Sequence, residues 1–233
     1  MKALVVIAAL CSAAAADPIP KDASQLVTGV IDDWQGHTAT LRLWERAGGA
    51  WKPVGAPWQA AIGSGAGWGI GLHGSGAPSG HDGPVKEEGD GRSPAGAFRV
   101  NAAYGYAAGK SLLPFTVSEG LECVDDEKSK NYGTILRRTA TSDWHSSEQM
   151  RRKDALYTWV IDIAHNPKHQ PGAGSCIFFH VWRRADSPTV GCTAMAEPDM
   201  RRLLGALKPD AVYVLLPKRD YDALAGAWGL PPR

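Results

Sequence analysis

The sequence predicts an α+β protein that is mostly β, with mixed sheet and few short helices. Three observations predict it. The chain holds 27 glycines and 16 prolines, too many for a helical bundle. Apolar residues mostly come in alternating or β-branched short runs. Only residues 198–207 carry a clear helical repeat. The 233 residues suit one domain, or one domain with a small extension. A chain of this size buries roughly 70% of its unfolded surface and needs no disulfide simply to fold.

The elements follow in order. Residues 1–16 combine a basic start (Met1-Lys2), an apolar run (Ala3 to Leu10) and a small-residue cleavage site (Ala14-Ala15-Ala16). That is the pattern of a secretory signal peptide removed near Ala16, so the mature protein, residues 17–233, is expected to be secreted or periplasmic. The apolar run is too short to favour a retained membrane span, and none is expected later. Gln25 to Ile31 is β-branched, and Asp32 to His37 holds turn residues. Thr38 to Arg46 alternates, with Leu41 and Leu43 on one side. Gly48-Gly49 is a turn, and Trp58 to Ile62 is a further strand candidate. Gly63 to Gly83 is expected to be loop, Ala97 to Val100 a short strand, and Tyr104 to Lys130 irregular. Ser146 and Gln149 fit a capping box, which predicts a short helix to about Lys153. Leu156 to Ala164 and Cys176 to Trp182 are the best strands. In the second, Ile177, Phe179 and Val181 alternate with Cys176, Phe178, His180 and Trp182. Both faces are largely apolar, which is the mark of a buried central strand. Met200, Leu203, Leu204 and Leu207 give the 198–207 helix its stripe, and Pro198 suits its first turn. Ala211 to Leu216 closes the sheet, and Asp220 to Trp228 is a candidate terminal helix.

Charge excludes some partners. Lys+Arg is 25 against Asp+Glu 24, a formal +1, so no strong field attracts nucleic acid or anionic lipid. Cysteine count is more informative. Once Cys11 leaves with the leader, Cys123, Cys176 and Cys192 remain, an odd number in an oxidising compartment. One thiol is then free, paired between chains, or kept for chemistry. Cys123 and Cys176 can pair and leave Cys192.

His180 sits in a buried strand, and Gly191-Cys192-Thr193 follows after a short loop. A thiol nucleophile needs a base within reach and N–H donors for the oxyanion. A strand holds the imidazole rigidly, and Gly191 lets backbone approach a substrate carbonyl. The helix soon after Cys192 is expected to turn its positive end toward the thiolate. Taken singly, a core histidine and a half-cystine explain the two residues as well.

Three stretches together decide more. Lys86-Glu87-Glu88-Gly89-Asp90-Gly91-Arg92-Ser93-Pro94-Ala95-Gly96-Ala97-Phe98, Ser175-Cys176-Ile177-Phe178-Phe179-His180 and Thr189-Val190-Gly191-Cys192-Thr193-Ala194-Met195 occur in that order. On them the chain resembles the YkuD-like L,D-transpeptidase catalytic domain, over about residues 60–217, with the strands of 25–62 in front. The resemblance implies mixed β-sheets or a β-sandwich with few short helices. It implies that Cys192 attacks a peptide carbonyl in a peptidoglycan stem, that His180 carries the proton, and that Gly191 and Cys192 N–H groups, helped by Thr193, hold the oxyanion. The acyl group passes to an amine or to water, with no metal or organic cofactor. Peptidoglycan stem peptides, and a wall-attached protein or peptide, are the implied partners.

The chain also departs from that pattern. Val190 stands where well-studied members carry His, and Ala194 where they carry Arg; the loop from His180 to Cys192 is shorter. A divergent branch with this Gly-Cys-x-Ala-Met ending includes members that hydrolyse wall linkages. Hydrolysis is therefore the second reading, and a non-catalytic wall-binding module the third. Arg183, Arg184 or Arg92 can replace the missing cation. Asp90, Ser187 and Thr189 are further cleft candidates, each equally at home in a polar turn or loop. His165 and His169 have i, i+4 spacing, but Pro167 between them argues against a shared helix face and a metal site. Five tryptophans between 34 and 68 suit core or sheet surface better than sugar stacking.

Overall fold

A computed structural model describes residues 17–233; the expected leader and Cys11 lie outside the described residues. The strands are β1 (Gln25–Ile31), β2 (Thr38–Ala47), β3 (Ala50–Ala61), β4 (Ala66–Trp68), β5 (Ile70–Gly71), β6 (Gly74–Ser75), β7 (Ser93–Gly105), β8 (Phe115–Val117), β9 (Leu121–Cys123), β10 (Ile135–Arg137), β11 (Glu148–Gln149), β12 (Trp159–Ile163), β13 (Phe178–Val181), β14 (Thr193–Met195) and β15 (Val212–Pro217). Two short helices, α1 (Glu197–Ala206) and α2 (Lys218–Leu224), complete the described residues. The protein is therefore mostly β.

Ten strands form one mixed sheet in the order β12-β13-β14-β3-β2-β1-β15-β7-β4, with β8 beside β7. Because β12 pairs with both β13 and β7, the pairing returns on itself in a barrel-like ring. Closure removes open edges, which are otherwise free to pair with other chains. β9, β10 and β11 form a separate small sheet beside this ring.

Local chemistry explains most boundaries. β1 lies between β2 and β15 and is nearly all buried, as its β-branched run demands. Asp33 Oδ1 accepts the Gln35 and Gly36 N–H groups at 2.8 and 3.0 Å, closing the β1–β2 turn. Gly48 and Gly49, both at positive φ, make the two-residue turn between β2 and β3. β3 begins earlier than expected and contains Pro53 and Pro57. Only Ala60 and Ala61 of β3 pair with β14, so most of that edge needs no donors and tolerates proline.

Four expectations need correction. The capping-box helix at 146–153 does not form. Its polar side chains bond elsewhere: Ser147 Oγ donates to Glu122 at 2.7 Å, and Glu148 accepts the Tyr157 hydroxyl at 2.6 Å. Only Met150 is fully buried there, so a helix would have no apolar stripe. The segment Gly63 to Gly83 holds β4, β5 and β6 within its loops, and Tyr104 to Lys130 holds β8 and β9. The terminal helix starts at Lys218 and ends at Leu224, short of Trp228.

β13 divides the interior. Ile177, Phe179 and Val181 belong to the large core with Met200, Leu203, Leu204 and Leu207 of the α1 region. Cys176 and Phe178 face a second cluster with Leu121, Cys123, Met150, Tyr157, Val160 and Cys192. A disulfide joins Cys123 to Cys176 across that cluster, tying the small sheet to the lead-in of β13.

Acid should unfold this protein through its histidines. Burial lowers the pKa of His165 and of His180 from 6.5 to about 4 in each case. A neutral buried base contributes stability that is present above its unfolded pKa and lost as the pH falls toward its folded one. The melting temperature is expected to drop between pH 6.5 and 4, and less steeply in His165→Asn. A flat profile through that window would refute this.

Candidate active site

β13 and β14 run parallel, with Phe179 beside Thr193 and His180 beside Ala194. One step back along both strands brings Cys192 beside Phe178. Alternation then puts His180, Phe178 and Cys192 on one face of the sheet. His180 and Cys192 line one cavity of about 230 Å³, with Arg152, Tyr157, Arg183, Ser187, Thr189 and Val190 around them. Val190, 78% exposed, forms part of its rim.

The imidazole is held by backbone. His180 Nδ1 lies 2.8 Å from the Val181 carbonyl oxygen. A carbonyl only accepts, so Nδ1 carries the proton and Nε2 keeps a lone pair in the neutral ring. The Tyr157 ring packs against it, with centroids 5.2 Å apart. Burial, aided by the Arg152 charge, favours the neutral ring.

Cys192 is the free cysteine among the described residues, and it is buried. Its Sγ lies 3.5 Å from the Cys176 carbonyl oxygen, which accepts the thiol proton. Burial pushes the thiol up to about 12, and the Glu148 charge adds to this. Hydrogen bonds from the Phe178 backbone and the Tyr157 hydroxyl, and the Lys86 charge, pull it back. At neutral pH the resting site therefore holds a thiol and a neutral imidazole.

The loop that carries Cys192 is anchored from two sides. Gly191 has φ of 142°, and a Cβ there would lie 3.1 Å from both the Arg92 carbonyl oxygen and Ile177 Cδ1. Both conditions call for glycine. Thr189 Oγ1 donates to the Cys192 carbonyl at 2.7 Å and accepts the Gly191 N–H at 3.1 Å. Ser93, buried in β7, accepts the Gly63 N–H at 2.9 Å and donates to the Gly191 carbonyl at 2.7 Å.

Several cleft candidates lie elsewhere. Thr193 Oγ1 pairs with the Tyr213 hydroxyl at 3.0 Å inside the core, on the opposite face from Cys192. Asp90 binds Lys86 at 2.5 Å and accepts the backbone N–H groups of Glu87 and Arg92, so it organises a turn. The Arg92 guanidinium donates to the Ala66 carbonyl at 3.1 Å and does not line the cavity. Arg183 does line it, 3.8 Å from Asp154. Arg184 pairs with Asp186 on the surface. The helix dipole gives the thiolate no support: β14 and Ala196 separate Cys192 from α1, whose first turn is acidic. None of the five tryptophans lines the cavity. Among the described residues no three metal-ligating side chains cluster.

Sequence reasoning missed Ser93, Tyr157 and Arg152 as site residues. Ser93 was legible as the serine of the Ser-Pro-x-Gly-x-Phe segment. Ser147 and Glu148 are cleft candidates in the sequence that helix capping explains equally well; Glu148 lines a cavity with Cys192.

A family model for the YkuD L,D-transpeptidase catalytic domain matches residues 79–214, more than half of the chain. The chain belongs to this family. The matched YkuD stretch contains the Gly-rich segment, His180 and the Gly191-Cys192 loop. β1, β2, β3 and β4 precede it in sequence yet share its sheet. No curated protein and no solved structure matches the chain.

Ser93→Ala would leave the Gly63 N–H and the Gly191 carbonyl buried without partners. The expected cost is about 1–3 kcal/mol of stability, read by denaturant titration. A loss below about 0.5 kcal/mol would mean that the nucleophile loop does not lean on this hydroxyl.

Proposed function

We propose that the chain is an exported cysteine acyl-transferase acting on peptidoglycan stem peptides. The observation that carries this is the shared cavity of His180 and Cys192 in a YkuD domain, with the imidazole Nε2 left free. Cys192 Sγ forms a bond to the peptide carbonyl carbon while its proton passes to His180 Nε2. The oxyanion that develops is met by the Cys192 N–H. The Gly191 N–H joins it by letting go of Thr189 Oγ1. Collapse breaks the C–N bond, and His180 returns the proton to the departing amine. A second amine then attacks the thioester, gives its proton to His180, and releases the sulfur, which takes that proton back. Arg183 and Ser187 are placed to meet the peptide at the cavity wall, whereas Arg152 is engaged by Asp154 at 2.9 Å. The expected location, secreted or periplasmic, is the one a wall substrate requires. Among the described residues no helix is long and apolar enough to cross a membrane.

The purified protein is incubated with tetrapeptide-stem muropeptides and the products are weighed by mass spectrometry. Cross-linked dimers are expected; trimmed stems alone would instead show water as the acceptor. Cys192→Ala is expected to abolish both while keeping its circular dichroism. A carbapenem should add its mass to Cys192. Neither product and no adduct would defeat the proposal, and full cellular function of Cys192→Ser would favour a binding module.

A further inference from the structure

Glu148 is a carboxylate without an ionic partner beside a nucleophile. It lies on β11, and with Cys192, Glu88, Asp125 and Lys86 it lines a second cavity of about 240 Å³. Cys192 and Val190 line both cavities, so the sulfur is the point where they meet. Among the described residues no cation forms an ion pair with Glu148. Lys86 is bound to Asp90 and to the Glu87 carbonyl. Arg152 is held by Asp154 through two bonds of 2.9 Å. The other neighbours are anionic: Glu88, which accepts from Tyr132 and Ser175, and Asp125, whose Oδ1 is buried with no partner.

Among the described residues the one hydrogen bond to the Glu148 carboxylate comes from Tyr157, whose hydroxyl lies 2.6 Å from Oε2. Tyr157 also packs with Cys192 in one buried cluster and lines the first cavity beside it, so the sulfur is this hydroxyl's other neighbour. The hydroxyl has a single proton, so it cannot donate to both. With Glu148 ionised, the proton points to the carboxylate, and the sulfur faces oxygen lone pairs and a nearby negative charge. With Glu148 protonated, the carboxyl O–H donates to the Tyr157 oxygen, and the tyrosine proton is free to turn to the sulfur. The geometry points to Glu148 as a positioning residue that, through the Tyr157 hydroxyl, sets how readily the Cys192 sulfur gives up its proton. The thiol proton still leaves to His180 Nε2; Glu148 takes its own proton from solvent beforehand, and no other bond changes.

Burial raises the Glu148 pKa, the Tyr157 hydrogen bond lowers it, and the Asp125 and Glu88 charges raise it against Arg152. Burial keeps Tyr157 itself protonated throughout. The protonated carboxyl is thus populated at higher pH than that of an exposed glutamate.

This rests on Cys192 being the nucleophile of the proposed reaction. Its test needs no stem peptide, so each idea can fail alone. Alkylation of Cys192 by iodoacetamide is timed by intact mass from pH 5 to 10 in the full protein, Glu148→Gln, Tyr157→Phe and the double variant. Glu148→Gln cannot ionise and can donate to Tyr157. It is expected to raise the alkylation rate at pH 7 by about tenfold, the effect of a thiol pKa lower by about one unit. It should also remove any inflection due to Glu148. Tyr157→Phe keeps the ring against His180 and is expected to slow alkylation at the low-pH end, where the protonated Glu148 frees the hydroxyl for the sulfur. In its background Glu148→Gln should add nothing. Equal acceleration in both backgrounds would mean that charge acts through space, and would overturn the hydroxyl's role. A Glu148→Gln profile that follows the parent would overturn the whole inference. Should Glu148→Gln not fold, Tyr157→Phe decides alone: an unchanged profile refutes it.

Discussion

The parallel pairing of β13 with β14 is the constraint on which the rest depends. It fixes the imidazole of His180 and the sulfur of Cys192 on one face, from two strands that sequence separates by a loop. A shift of one residue would send His180 into the large core and Phe179 into the cavity. The register is held by apolar weight on both sides of β13. Phe179 packs against Tyr213 at 4.6 Å between centroids, and Phe178 against Tyr157 at 5.8 Å. Misregister would expose one of these rings to polar neighbours, so hydrophobic burial enforces the geometry of the polar pair.

The site is built from neutral groups. Burial drives the thiol pKa up and the imidazole pKa down, which keeps charge out of a region that solvates it poorly. Such a pair is stable at rest and weakly reactive. In the proposed reaction the proton therefore moves as the carbon–sulfur bond forms, and the new negative charge passes to an oxygen that backbone N–H groups can hold. Tight anchoring of the loop serves this. Ser93 and Thr189 fix the carbonyls of Gly191 and Cys192, and the N–H groups of a fixed loop need little reorganisation. The disulfide contributes from the other side. Closing a loop across a sequence separation of 53 stabilises the fold by about 4 kcal/mol in the chain-entropy account. It also anchors Cys176, whose carbonyl accepts the thiol proton.

Legibility followed the range of the interaction. The strands around β1, β2, β13 and β15 were readable because alternation and β-branching act within the strand. His180 and Cys192 were readable because a buried histidine followed by Gly-Cys is chemically unusual. The odd cysteine count left open which thiols pair; the structure joins Cys123 to Cys176. Closure of the sheet was not readable, since nothing local says that β12 meets β7 as well as β13. Thr193 went wrong by one residue of alternation: its neighbour faces the cavity, so it must face the core. The 146–153 segment went wrong because local capping chemistry and tertiary bonding use the same side chains. Ser147 and Glu148 had to choose, and Glu122 and Tyr157 are the better partners in a folded chain.

That last choice has a physical consequence for the site. A glutamate in an exposed helix cap would be solvated and ionised, with no bearing on a thiol elsewhere. Moved to β11 and pressed against Tyr157, the same carboxylate loses water and gains a single hydrogen bond. Each lost water weakens the case for its charge, and each added anion, Asp125 and Glu88, weakens it further. The fold thus places, in one cavity with the sulfur, a carboxylate whose charged form burial disfavours.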